Sequence, residues 1–226
     1  MTVTQRRVNR PMPATRTPPD AIRSVFDDGQ IRRMLGEAPV GHHPLLEAAF
    51  AWHERRPDGR CPQPAPDRSA PRGGPPRYLP IMITHGMAAS RLTRLLSTLT
   101  WAIATPVGES LAESHPLASV EVPAHEYHRV GRALNAAWRG RWKLLKAPGG
   151  DSETRQAARA VWRMALLVDG HWREDGLAVR VSTSSGLSTL TVAAKPIGLT
   201  LAATGPRPGS TILIPDSGQL SHLLRD

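Results

Sequence analysis

LAVRVSTSSGLSTLTVAA, residues 177–194, is the stretch on which the fold class turns. Leu177, Val179 and Val181 alternate with polar residues, and Leu190, Val192 and Ala194 do so again beyond a Ser-Ser-Gly turn. A period of two on both sides of such a turn predicts a β-hairpin. Downstream, IGLTLAAT (197–204) and STILIP (210–215) read as two more strands, separated by the turn signal GPRPG. GQLSHLLRD (218–226), with Asp216 or Ser217 as cap, reads as a closing helix.

Upstream of Gly176 the period is helical. Asp151 or Ser152 opens a helix through ARAVWRMALLV, which Asp169 and Gly170 stop. Before it, a helix of about 124–146 follows Pro123 and ends at the APGG turn. GMAASRLTRLLSTLTWAIA (86–104) places Met87, Leu92, Leu95, Leu96, Leu99 and Ile103 close to one face, with Pro106 and Gly108 closing it. YLPIMIT (78–84) is a short strand candidate. Helices followed by a run of strands imply an α+β fold with a small antiparallel sheet of about four strands.

The N-terminal third is organised differently. Residues 1–19 hold four prolines and several arginines but few large apolar groups, so they read as a disordered basic arm. Residues 20–56 form a small helical segment, with one helix from Asp20, Gly29 as separator, and a run at Ile31, Met34 and Leu35. PLLEAAFAWHERR then starts with Pro44 in its first turn and ends before Pro57. Eight prolines and three glycines between 57 and 80 forbid a regular helix or central strand and mark a linker. Residues 81–226 are left as the main domain.

Charge narrows the function classes. The chain of 226 residues carries a formal net charge of +10, which points to an anionic partner. LLSTLTWAIA and MALLV, the longest apolar runs, fall far short of the roughly 20 residues a membrane helix needs. No apolar h-region follows the N-terminal arginines, so a cytoplasmic location is expected. Cys61 is the sole cysteine, which excludes an internal disulfide and the zinc-finger spacings. Neither GxxxxGK[ST] nor GxGxxG occurs, so no nucleotide cofactor is implied, and no other cofactor is either.

The strongest local signal is RVGRALNAAWRGRWKLLK (129–146). On a helix, Arg129, Arg132, Arg139, Lys143 and Lys146 form one stripe about 25 Å long. Val130, Leu134, Ala137, Trp138 and Leu145 take the opposite face. Arg155, Arg159 and Arg163 recur every four residues on the next helix and extend the set. From 129 to 163 there are nine Lys and Arg against two acidic residues, whereas a merely solvated face mixes signs. Such a stripe can meet successive phosphates of DNA or RNA. A solvated face accounts for the same outward charges, and the helix dipole alone favours Lys143 and Lys146 near the C-terminus.

Other chemistry is thinner. His125, Glu126 and His128 fall one residue short of HExxH spacing, and no motif supplies a third metal ligand. THGM around His85 lies between a strand and a helix, where backbone N–H groups can hold an anion. The Ser/Thr cluster STSSGLSTLT reads as the solvent side of the hairpin rather than a catalytic set. The leading expectation is therefore a non-catalytic protein binding nucleic acid or another polyanion through Arg129, Arg132, Arg139, Lys143, Lys146, Arg155 and Arg159. A protein-interaction module docking through residues 20–56 is the first alternative. An enzyme with a dispersed site drawn from His85, His125 and His128 is the second.

Overall fold

A computed structural model describes residues 28–55, 77–109, 116–147, 151–173, 176–203 and 209–215. The N-terminal arm, the helix expected from Asp20, most of the 57–80 segment with Cys61, and the closing helix lie outside the described residues. The fold is α+β, with six α-helices and two antiparallel sheets among the described residues.

In chain order the elements are α1 (Asp28–Glu37), α2 (Pro44–Glu54), β1 (Tyr78–His85), α3 (Gly86–Leu96), β2 (Ile103–Glu109), β3 (Pro116–Pro123), α4 (Tyr127–Leu145) and α5 (Ser152–Asp169). After them come β4 (Gly170–Arg173), β5 (Gly176–Arg180), α6 (Ser184–Ala194), β6 (Ala202–Ala203) and β7 (Thr211–Ile214). One sheet has the order β1-β3-β2 and the other β4-β5-β7-β6. The plan of a helix followed later by strand, helix, strand, strand thus occurs twice. In both halves the last strand sits between two others: β3 between β1 and β2, β7 between β5 and β6, with β4 added outside β5 in the second half. The leading helices of the halves, α2 and α5, pack on each other.

The predicted single sheet of about four strands is therefore two sheets, and the predicted hairpin is half right. Leu177–Val179 are buried in β5, but Ser184–Ala194 is the helix α6. Thr183 caps it by accepting from the Gly186 N–H at 2.9 Å. Ser188, Thr189 and Thr191 turn their hydroxyls back onto the carbonyls of Ser184, Ser185 and Leu187, at 2.7–2.9 Å. Side chains that favour a strand are in this way accommodated in a helix. The buried positions Gly186, Thr189, Leu190, Ala193 and Ala194 follow helical spacing, which the period-two reading passed over.

Strands β2 and β3 were not foreseen. Pro106 and Gly108 do not close a long helix; α3 stops at Leu96, and they lie in β2 at a register shift in its pairing with β3. β2 is an edge strand, where proline forfeits no ladder hydrogen bond. β1, the opposite edge, absorbs Pro80 at a similar shift. IGLTLAAT yields a 3-10 turn, Lys195–Ile197, and only the two-residue β6. Gly29 lies inside the first turn of α1 and separates nothing among the described residues.

One apolar core joins these parts. Leu35 of α1, Phe50 and Trp52 of α2, Leu92, Leu95 and Leu96 of α3, Val120 and Val122 of β3, Leu134 and Trp138 of α4, Trp162 and Leu167 of α5, and Ile212 of β7 all belong to it. α2 is almost wholly buried and lies against α4, α5 and α3. That position turns α4 so that its apolar face meets α2 and its other face is open. No helix among the described residues is long and apolar enough to cross a membrane.

Candidate functional site

Helix α4 presents its charges as its sequence pattern requires. Val130, Leu134, Trp138, Arg141 and Leu145 are buried, whereas Arg129, Arg132, Arg139, Lys143 and Lys146 are exposed. Arg132, Arg139 and Lys143 have no hydrogen-bond or ion-pair partner among the described residues. Arg129 is already engaged: its Nη2 lies 2.7 Å from Glu126 Oε1 and also donates to the Leu99 carbonyl. Glu126 takes a further hydrogen bond from the Thr100 hydroxyl, which together with Arg129 holds its carboxyl below the usual carboxylate range. The Lys146 ammonium lies 4.8 Å from the centre of the Trp142 ring. The free part of the stripe is thus Arg132, Arg139 and Lys143.

Arg141 is the basic residue of α4 that faces inward. Its guanidinium lies 4.0 Å from the Trp138 ring centre and 4.3 Å from that of Trp142. It donates to Thr189 Oγ1 and Ser185 Oγ, both at 2.9 Å, and to the Trp138 carbonyl at 2.6 Å. Burial pushes its pKa down from the ordinary arginine value. Arg141 ties α4 to α6. Its place was readable in the sequence, since it stands three residues after Trp138 and four before Leu145, on the apolar face.

The arginines of α5 do not act as one row. A spacing of four advances 40° per step against the 3.6-residue turn, so the row winds off the surface. Arg155 is exposed, Arg159 is half-buried, and Arg163 is buried. Arg159 and Arg163 line a pocket between α5 and the α1–α2 loop, to which no residue of α4 contributes.

Two buried carboxylates anchor this framework. Glu47 receives Arg91 Nε at 2.8 Å and Nη2 at 3.2 Å, and Arg163 Nη1 lies 4.0 Å away. Burial raises the Glu47 pKa against the opposing pull of Arg91. Glu54, the last residue of α2, accepts hydrogen bonds from Ser182 N at 2.7 Å, Thr183 N at 3.3 Å and the Thr183 hydroxyl. It closes the N-terminus of α6, and a Cβ at Gly186 would collide with its carboxylate. Both glutamates are structural.

The histidines are dispersed. His85 is buried at the end of β1, whereas His125 and His128 are exposed around the start of α4. No group of three or more His, Cys, Asp and Glu side chains with metal-holding geometry occurs among the described residues. The STSSGLSTLT cluster belongs to the cap and first turns of α6, where its hydroxyls bond Glu54, Arg141 and backbone carbonyls.

Comparison with known proteins adds a fold likeness. The chain is similar to the N-terminal LAGLIDADG domain of DUF199/WhiA, at 11% sequence identity and a TM-score of 0.51, over 87% of this chain and 89% of that one. Full-length DUF199/WhiA from Thermatoga maritima gives 12% identity and a TM-score of 0.49, over 88% of this chain and 60% of that one. At such identities the likeness concerns architecture alone. No protein-family model matches the chain, and no curated protein sequence does.

Proposed function

We propose that this chain binds nucleic acid without catalysis, through phosphate contacts from the open face of α4. The observation that carries the reading is the row Arg132, Arg139 and Lys143, exposed on a helix fixed by its buried face and without counter-charges among the described residues. A solvated face ordinarily mixes signs; this one does not. Lys146 lies at one end of the row, and Arg155 at the start of α5 adds an exposed charge nearby in sequence. Duplex DNA offers one phosphate charge per about 1.7 Å of axis, so a row about 16 Å long can meet several at once. Arg129 contributes less, being held by Glu126.

Retention of the full chain on immobilised DNA and RNA across a salt series tests this reading. Binding that weakens linearly in log salt, with a slope of several units, supports it. Equal retention on a neutral support would remove it and leave a protein partner of residues 20–56 as the better account.

A further inference from the structure

The pocket between α5 and the α1–α2 loop encloses about 250 Å³ and is lined by Val40, Gly41, His42, Gln156, Arg159 and Arg163 among others, none of them acidic. Its wall is held in place. Arg94 donates to the Gly36 carbonyl, and Arg91 to those of Ala38 and Pro39, so the loop is strapped onto α3 by guanidinium groups. Arg163 Nη1 also reaches Pro39 O at 3.4 Å. Beneath, Glu47 is engaged by two nitrogens of Arg91, and Arg163 Nη1 lies 4.0 Å from the same carboxylate.

Arg159 is the telling residue. Its Nε is buried without a hydrogen-bond partner, and the guanidinium forms no ion pair among the described residues. A half-buried guanidinium gives up hydration, and here nothing within the described chain replaces it. One turn on, Arg163 brings a second guanidinium to the same space, with His42 and Gln156 as further hydrogen-bonding groups. Guanidinium forks match the paired oxygens of a phosphoryl group. The volume suits that group with at most a short carbon skeleton.

We propose that this pocket binds the phosphoryl group of a small free ligand, independently of any nucleic acid on α4. Inorganic phosphate is the probe. It raises the melting temperature of the full chain above that in chloride of matched ionic strength, because a ligand of the folded state alone stabilises it. Arg159→Gln weakens phosphate binding about tenfold or more by calorimetry, and Arg159→Lys, which keeps the charge but not the fork, falls between. Phosphate stabilisation no greater than that of chloride, or undiminished in Arg159→Gln, would overturn the proposal. A second arm separates the source of the phosphate. The salt slope of nucleic-acid retention stays unaltered in Arg159→Gln if the ligand is free, whereas a slope flattened by about 0.9 assigns the pocket to a polymer phosphate and overturns the small-ligand reading. Should the chain retain no nucleic acid at all, the phosphate arm still decides.

Discussion

Arg141 and Arg132 are nine positions apart on one helix and do opposite work. Arg132 keeps its guanidinium in water, whereas Arg141 spends its hydrogen bonds on α6 and its faces on two tryptophans. Replacing Arg141 with Ala leaves Thr189 and Ser185 without that donor and opens the space between the rings. Urea unfolding is expected to show a loss of about 1.5–3 kcal/mol, the range for hydrogen bonds to charged groups. The folded variant is expected to keep the salt dependence of the parent protein. Glu54 follows the same logic from the other side of α6. Glu54→Ala strips the acceptor from two backbone N–H groups and a hydroxyl, and a comparable loss of about 1.5–3 kcal/mol is expected in the same measurement.

Helix α5 shows how local chemistry sets an element's ends and its response to pH. Asp151 Oδ1 accepts from Thr154 N at 2.7 Å, and that bond holds the Asp151 carboxyl below its ordinary value. A carboxyl whose pKa is depressed on folding adds stability above its unfolded pKa and loses it as pH falls through the folded one. Asp151→Ala is therefore expected to melt below the parent protein at neutral pH, with the gap closing as the pH drops below the aspartate range. Helices of this kind were legible beforehand, because cap, period and stop all agree. Strand β3 was legible in principle, since Ala118, Val120 and Val122 alternate with Leu117, Ser119 and Glu121, but the prolines at its ends masked it. α6 was misread because its Thr and Val favour strands, and the decisive partners come from outside the segment: Arg141 stands 44–48 positions away and Glu54 128–129. The stripe on α4 needed only local spacing, and its five side chains are exposed as that spacing requires. The Arg159 pocket needed the α1–α2 loop, more than 100 residues away in sequence, and no local pattern announces that pairing.

The molecule as a whole is knitted by buried charge as well as apolar packing. Arg91, fully buried on α3, joins Glu47 of α2 to the loop leaving α1, and Arg163 brings α5 to the same carboxylate. Arg91→Met removes one partner of a buried pair and is expected to cost about 3–5 kcal/mol in equilibrium unfolding. Replacing Glu47 and Arg91 together with apolar residues costs less than the sum of the two single changes, since neither is left stranded by the loss of the other, and Arg163 alone then loses its carboxylate. This interior holds α4 at a fixed angle and leaves Arg132, Arg139 and Lys143 outside it, which makes the outward face separable from stability. The most direct measurement is accordingly the salt dependence of DNA binding in the variant with Arg132, Arg139 and Lys143 all changed to Gln, with Leu134→Asp as a control for damage to the buried face. The account predicts a folded triple variant whose slope of log K against log salt is flatter by about 2–3 units, at roughly 0.9 per lost contact. A folded triple variant with the parent slope would contradict it.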